Sequence, residues 1–188
     1  VVEFDRVWID AQQELHGVSG TFARAGNIWQ TVLLNSRIDA NATLNLSIRP
    51  REDGNRDFTM RADDAGKALK LLELYPNMVG GKLLITGVYD DAQPGQPLKG
   101  TISVNNYRII NAPALAHLIS IMSLTGILDA LRGEGLAFGE LVVPFQLARG
   151  VFELRGAKAT GTSLGFTASG KVYRHTDIID LEGTVIPA

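Results

Sequence analysis

From Leu164 to Val172 the chain alternates without a break. Leu164, Phe166, Ala168, Gly170 and Val172 fall on one side; Gly165, Thr167, Ser169 and Lys171 fall on the other. Ile179, Leu181, Gly183 and Val185 repeat the pattern against Asp180, Glu182 and Thr184. Successive side chains of a strand point to opposite faces, so a period of two predicts two strands of a sheet with one apolar face. That face has to be covered by something, and it can itself be the working surface.

The same rhythm runs through most of the chain. Leu44, Leu46 and Ile48 alternate with Thr43, Asn45, Ser47 and Arg49, and Ile102 and Val104 with Thr101, Ser103 and Asn105. Leu141, Val143, Phe145 and Leu147 behave likewise. Between Gly, Asn, Asp and Pro breaks, strands are predicted over 2–9, 14–24, 27–35, 41–49, 55–62, 81–89, 98–109, 138–148, 150–159, 164–173 and 178–186. The connections are too short for parallel crossovers and suit an antiparallel meander. Asp90 to Pro97 reads as a long hairpin tip.

Two segments break the rhythm. In 63–75, Ala65, Ala68, Leu69 and Leu72 fall at helical spacing. Asp63 or Asp64 can cap the helix start, and Pro76 is expected to end it at Tyr75. In 112–132, Leu115, Leu118, Ile119 and Met122 form one stripe and Leu124, Ile127, Leu128 and Leu131 another. The stripes are offset by nine residues, about 900° of helical turn, which puts them on opposite sides of one straight helix. A break near Ser123, with Gly133 ending the second piece, lets both stripes face the same sheet, and that is the reading preferred. The expected fold is mainly β: a curved antiparallel meander sheet, as an open groove or a partly closed barrel or sandwich. Two or three amphipathic helical segments pack on it or cap it. Residues 1–188 read as one domain, with strands over 1–62, a helix over 63–75, strands over 81–109, helical segments over 112–132 and strands over 138–186.

Composition narrows the function classes. A net charge of −2 and a pI near 5.9 argue against a nucleic-acid partner. There is no cysteine, hence no disulfide frame and no thiol nucleophile. No apolar run is long enough to cross a bilayer. The chain starts with Val1 inside a strand and stops at Ala188 at a strand end, which suggests a piece of a longer chain.

Candidate chemistry is sparse. His16, His117 and His175 stand in no ligand spacing, and His117 reads as a helix-flank histidine. Capping explains Asp63 and Asp64 more cheaply than a metal or acid–base pair does. Gly161-Thr-Ser-Leu-Gly165 lacks the spacing of a nucleophile elbow, and Gly80-Gly81 opens a strand rather than a helix, so it is no phosphate loop. Trp8 and Trp29 are expected to pack. The expectation is a chain that is not an enzyme and needs no cofactor and no metal. Apolar surface remains. A closed sandwich or barrel with a filled core and an open curved sheet whose concave apolar face binds acyl chains both require one apolar face, and periodicity does not separate them.

The order of several motifs resembles the C-terminal region of the AsmA-like family, the bacterial group of AsmA, TamB and YhdP. The matching stretches are Phe145–Leu154, Gly161–Gly170 and Asp180–Ala188, ending in Gly-Thr-Val-Ile-Pro-Ala. Ala62–Gly66 with Leu69, Leu72, Tyr75 and Gly80–Leu83 is also similar, as is Ala112–Ile119 through Gly133–Gly135. The resemblance covers residues from about 60 to 188, and the first 60 only as generic strands. It implies a periplasmic location, with an inner-membrane anchor that this chain lacks, and a grooved sheet with a hydrophobic inner face. The implied role is guiding phospholipid between the inner and outer membranes in envelope maintenance, with no catalytic residue. The alternative is a scaffold for outer-membrane protein biogenesis that touches other envelope proteins.

Under this reading the candidate apolar surface for a phospholipid or other acyl-chain ligand is Leu115, Leu118, Ile119, Met122, Leu124, Ile127, Leu128, Leu131, Leu164 and Phe166. Changing Leu118, Ile119 or Leu128 to Asp is then expected to alter lipid binding or solubility more than His117→Ala does.

Overall fold

The computed structural model describes residues 1–9, 13–121, 125–176 and 178–187. Eleven strands cross one sheet in sequence order: β1 (Val2–Trp8), β2 (Glu14–Ala25), β3 (Ile28–Asp39), β4 (Ala42–Pro50), β5 (Arg56–Ala62), β6 (Met78–Tyr89), β7 (Leu98–Ile109), β8 (Leu136–Ala148), β9 (Val151–Gly161), β10 (Leu164–Tyr173) and β11 (Ile178–Pro187). Every neighbouring pair is antiparallel, and the sheet does not close, since β1 and β11 do not pair with each other. The expected mainly β meander is thus the observed architecture.

Three short helices interrupt it. Helix α1 (Ala65–Leu71) joins β5 to β6; α2 (Pro113–Ile121) and α3 (Thr125–Arg132) join β7 to β8. Both connections leave from the same end of the strands. The Asp64 carboxylate accepts from the Lys67 backbone N–H at 2.9 Å and caps α1, as the sequence suggested. The helix ends earlier than Pro76 implied. Leu74 N–H donates to the Leu69 carbonyl at 2.8 Å and Glu73 N–H to that of Lys70 at 3.0 Å, with Glu73 at φ 54°. This is a Schellman turn with glutamate where glycine is usual, so no sequence signal marked it. Pro113 opens α2 at the first helical position, where its missing N–H costs nothing. The break expected near Ser123 falls at residues 122–124, outside the described residues; the helical pieces on either side are separate elements.

Register explains why the helices sit where they do. Leu44, Ala62, Leu83, Val104 and Leu141 lie directly opposite one another across β4 to β8. Leu44, Ala62, Leu83 and Val104 of this row join Ala65, Ala68, Leu71, Ile119 and Leu131 in one buried cluster, and the core continues towards the helices through Tyr107, Phe138, Ile109 and Leu136. α1 approaches β6 closely because its contact side is made of small residues. A Cβ on Gly66 would stand 2.4 Å from the Met78 carbonyl oxygen. Burying side chains such as Ile119 and Leu131, both 0% exposed, contributes about 1.5–3 kcal/mol each.

Candidate lipid-binding surface

The structure divides the sequence-predicted surface residues by depth. Ile119, Leu131 and Leu164 are interior residues of the closed core, and they hold the helical cap to the sheet rather than face outward. Leu115, Ile127, Leu128 and Phe166 are half-buried and pack against that core. The described members of both helical stripes therefore belong to, or pack against, one buried cluster shared with the sheet. Met122 and Leu124 lie outside the described residues, and the side chain of Leu118 does as well. Phe166 is positioned by Phe138, whose ring it meets edge-on at 5.7 Å, while Phe138 stacks on Tyr107 at 5.2 Å. The Tyr107 hydroxyl is buried without a hydrogen-bond partner among the described residues, and burial pushes its pKa up. It stays neutral at any physiological pH.

The uncovered part of the apolar face lies farther along the strands. Leu34, Leu46, Met60, Ile85, Ile102 and Val143 form one row across six strands. Leu34, Met60, Ile85 and Ile102 are partly buried against the core, Leu46 is partly buried as well, and Val143 is buried. The next row runs Val32, Ile48, Phe58, Gly87, Gly100, Phe145 and Leu154. Its two glycines face each other. A Cβ on Gly100 would stand 2.1 Å from the Thr86 carbonyl oxygen, and one on Gly87 2.8 Å from that of Lys99. Only glycine fits, so the row carries a side-chain-free gap between Phe58 and Phe145. Leu98 leans over one margin of that gap, its Cδ1 2.9 Å from where a Gly87 Cβ would be. The alternation of β4, β7 and β8 contained the signal for these rows; without register it could not show which residues stand side by side.

Aromatic pairs and one buried cation close the far end. Phe145 stacks on Phe152 at 5.1 Å, and Phe58 meets Tyr89 edge-on at 6.3 Å. Arg56 is 4% exposed. Its Nε and Nη2 donate to the two oxygens of Asp91 at 2.7 and 2.6 Å, its Nη1 to the Trp29 carbonyl at 2.6 Å and its Nη2 also to Gln96 Oε1 at 3.1 Å. The guanidinium lies 4.5 Å over the Tyr89 ring. The Asp91 carboxylate raises the Arg56 pKa further, so the pair is permanently charged. These bonds occupy most of its donors. Arg56 therefore pins the 90–97 loop to the sheet instead of waiting for a ligand headgroup.

A cleft of about 780 Å³ within β3–β7 lies on the polar face, lined mostly by Thr59, Thr86, Thr101, Arg61 and their row-mates. A twisted sheet is saddle-shaped, so each face is concave along only one diagonal, and periodicity does not say which. Trp8 and Trp29, expected to pack, are 62% and 47% exposed. Trp8 stands on an edge strand, and Trp29 sits at a hairpin end against Phe22 at 6.0 Å and Arg24 at 5.6 Å.

The polar candidates do not converge. His117 is exposed on α2, His16 lies 3.5 Å from Glu14, and His175 is in the β10–β11 turn. Asp63 accepts from the Thr43 hydroxyl while Asp64 caps α1. Ser163 stands in the exposed β9–β10 turn, and Gly80 and Gly81 lie inside β6 at positive φ rather than at its start. Among the described residues no three His, Asp or Glu side chains are grouped to hold a metal ion. Comparison of the chain with family models, with curated proteins and with solved structures yields no match, so the reading of this surface rests on its own residues.

Proposed function

We propose that this chain is a non-catalytic lipid-handling domain whose uncovered apolar rows take the acyl chains of phospholipid. On this reading it works as an AsmA-like periplasmic protein would, guiding lipid between the inner and outer membranes, with an inner-membrane anchor supplied outside this chain. The observation that carries the reading is the row Leu34–Leu46–Met60–Ile85–Ile102, partly buried but still partly open, continuous across five strands and bordered by a row with a side-chain-free gap. An acyl chain laid on such a surface gains about 0.8 kcal/mol for each CH₂ removed from water. That gain needs no nucleophile and no cofactor.

The test is to purify the protein, extract it with organic solvent and measure co-purified phospholipid, then repeat with Met60→Asp and Ile48→Asp. Bound lipid in the parent and its loss in folded variants is the expected result. A lipid-free parent that also takes up no fluorescent phospholipid from vesicles sinks the reading.

A second reading, a scaffold for envelope protein assembly, draws support from the sheet edges. The outer sides of β1 and β11 pair with no strand among the described residues, and they expose Phe4, Trp8, Ile179 and Leu181. Unpaired edges of this kind accept an added strand. A lipid-free protein that captures extended peptides at those edges would favour it.

A further inference from the structure

The face opposite the helices holds a feature that lipid handling leaves unused. Across β4 to β7, Ser47, Thr59, Thr86 and Thr101 stand directly opposite one another and form a ladder of hydroxyls. The ladder runs through the cleft of about 780 Å³. None of the four hydroxyls has a side-chain hydrogen-bond partner among the described residues, and the same is true of the cleft-lining Asn35 and Asn45 amides.

Three cations line the same cleft. Arg61 stands two residues from Thr59 on one side of the ladder; Arg49 and Lys99 stand two residues from Ser47 and Thr101 on the other. All three are exposed, and none is in an ion pair among the described residues. The one lining carboxylate, Asp57, is already engaged by Arg51 at 2.9 Å. The cleft therefore concentrates uncompensated positive charge in a chain whose net charge is −2. The two groups of cations are separated by about four residues of strand, roughly 13 Å.

Guanidinium and ammonium groups bind phosphate oxygens, while hydroxyl and amide ladders match the alternating donors and acceptors of a sugar. We propose that this cleft is a binding site for a phosphorylated sugar, with Arg61 at one end and Arg49 and Lys99 at the other. The hydroxyl ladder reads the sugar between them, with Asn35 and Asn45 in the row of Arg61. The site lies on the opposite face of the sheet from the apolar rows, so it stands independently of the lipid reading. The phosphosugar can be free or the headgroup of a glycolipid.

The test is calorimetric titration of the intact chain with glucose 1,6-bisphosphate at low salt, beside glucose and inorganic pyrophosphate. One saturable site is expected, weakened about tenfold by Arg61→Ala and again by Arg49→Ala with Lys99→Ala, the scale of a lost charge-assisted contact. Thr59→Val with Thr86→Val is expected to weaken the sugar bisphosphate and leave pyrophosphate unchanged. Circular dichroism checks that these exposed variants fold. No saturable binding up to about 10 mM overturns the proposal, as does binding indifferent to the cation variants. Pyrophosphate binding as tightly as the sugar bisphosphate overturns the sugar assignment. Competition by a phosphorylated glycolipid in micelles would identify the headgroup as the source, and its absence the soluble sugar; both outcomes keep the site.

Discussion

The apolar face of this sheet is one surface treated in two ways. At the strand ends next to α1, α2 and α3, the row Leu44–Ala62–Leu83–Val104 is sealed beneath helices. One row along, Leu46–Met60–Ile85–Ile102 has the same chemistry and the same register but is only partly buried. The difference lies in the connections. Among the described residues only the β5–β6 and β7–β8 links carry helices, and both start from the same end. An apolar stripe is thus core where a helix reaches it and available surface where none does.

The comparison can be broken at its strongest point first. Leu131→Asp puts an unpaired charge in the sealed region, and we expect loss of cooperative urea unfolding, a cost above about 4 kcal/mol. Ile119→Asp should behave alike, so its effect on lipid will be indirect. Retention of a native-like transition in either variant would mean the helical cap is dispensable.

Arg56→Ala comes next. It leaves Asp91 without its partner and should cost about 3–5 kcal/mol in urea denaturation. Arg56→Met combined with Asp91→Leu should recover most of that loss. Absence of recovery would show that Arg56 acts through Trp29 and Gln96 instead.

Gly100→Ala tests the gap between Phe58 and Phe145. The Cβ clash with Thr86 should destabilise the fold by about 1–3 kcal/mol. Ile48→Asp, in the uncovered region, should cost only about 1–2 kcal/mol while abolishing phospholipid uptake. Uptake unchanged by Ile48→Asp, with Leu128→Asp abolishing it in a folded protein, would reverse the assignment of the two regions.

The smallest effect concerns Asp39, whose pKa is lowered chiefly by its hydrogen bond with Lys67. A carboxyl depressed in the fold adds stability above its unfolded value and loses it as pH falls through the lowered one. The pair is exposed, so Asp39→Asn should lower the thermal midpoint only slightly at neutral pH. The gap to the parent should vanish in acid, as thermal melts across that range will record.

Much of this architecture was legible along the chain. Each of the eleven stretches read as strands forms one, because turn residues break the chain locally and period-two patterning, where present, is set by backbone geometry. Asp63 or Asp64 marked the start of α1, and Asp64 is the one that caps it, because capping is local. The end of that helix was not legible, since Glu73 takes a left-handed conformation that the chain context imposes. Ile179, 67% exposed, alternates as cleanly as Ile85 but sits on the edge strand β11.

The candidate surface was less legible than the fold. Leu131, Ile127 and Leu46 are alike on paper, yet Leu131 is buried and the other two only partly so, because packing, not pattern, assigns depth. The Thr59–Thr86–Thr101 ladder was invisible for the same reason, its members lying 27 and 15 residues apart. What the sequence determined was periodicity, caps and breaks, all consequences of local backbone sterics and hydrogen bonding. What only the tertiary structure decided was register, curvature and coverage, because these depend on contacts between residues far apart in the chain, which no local pattern encodes.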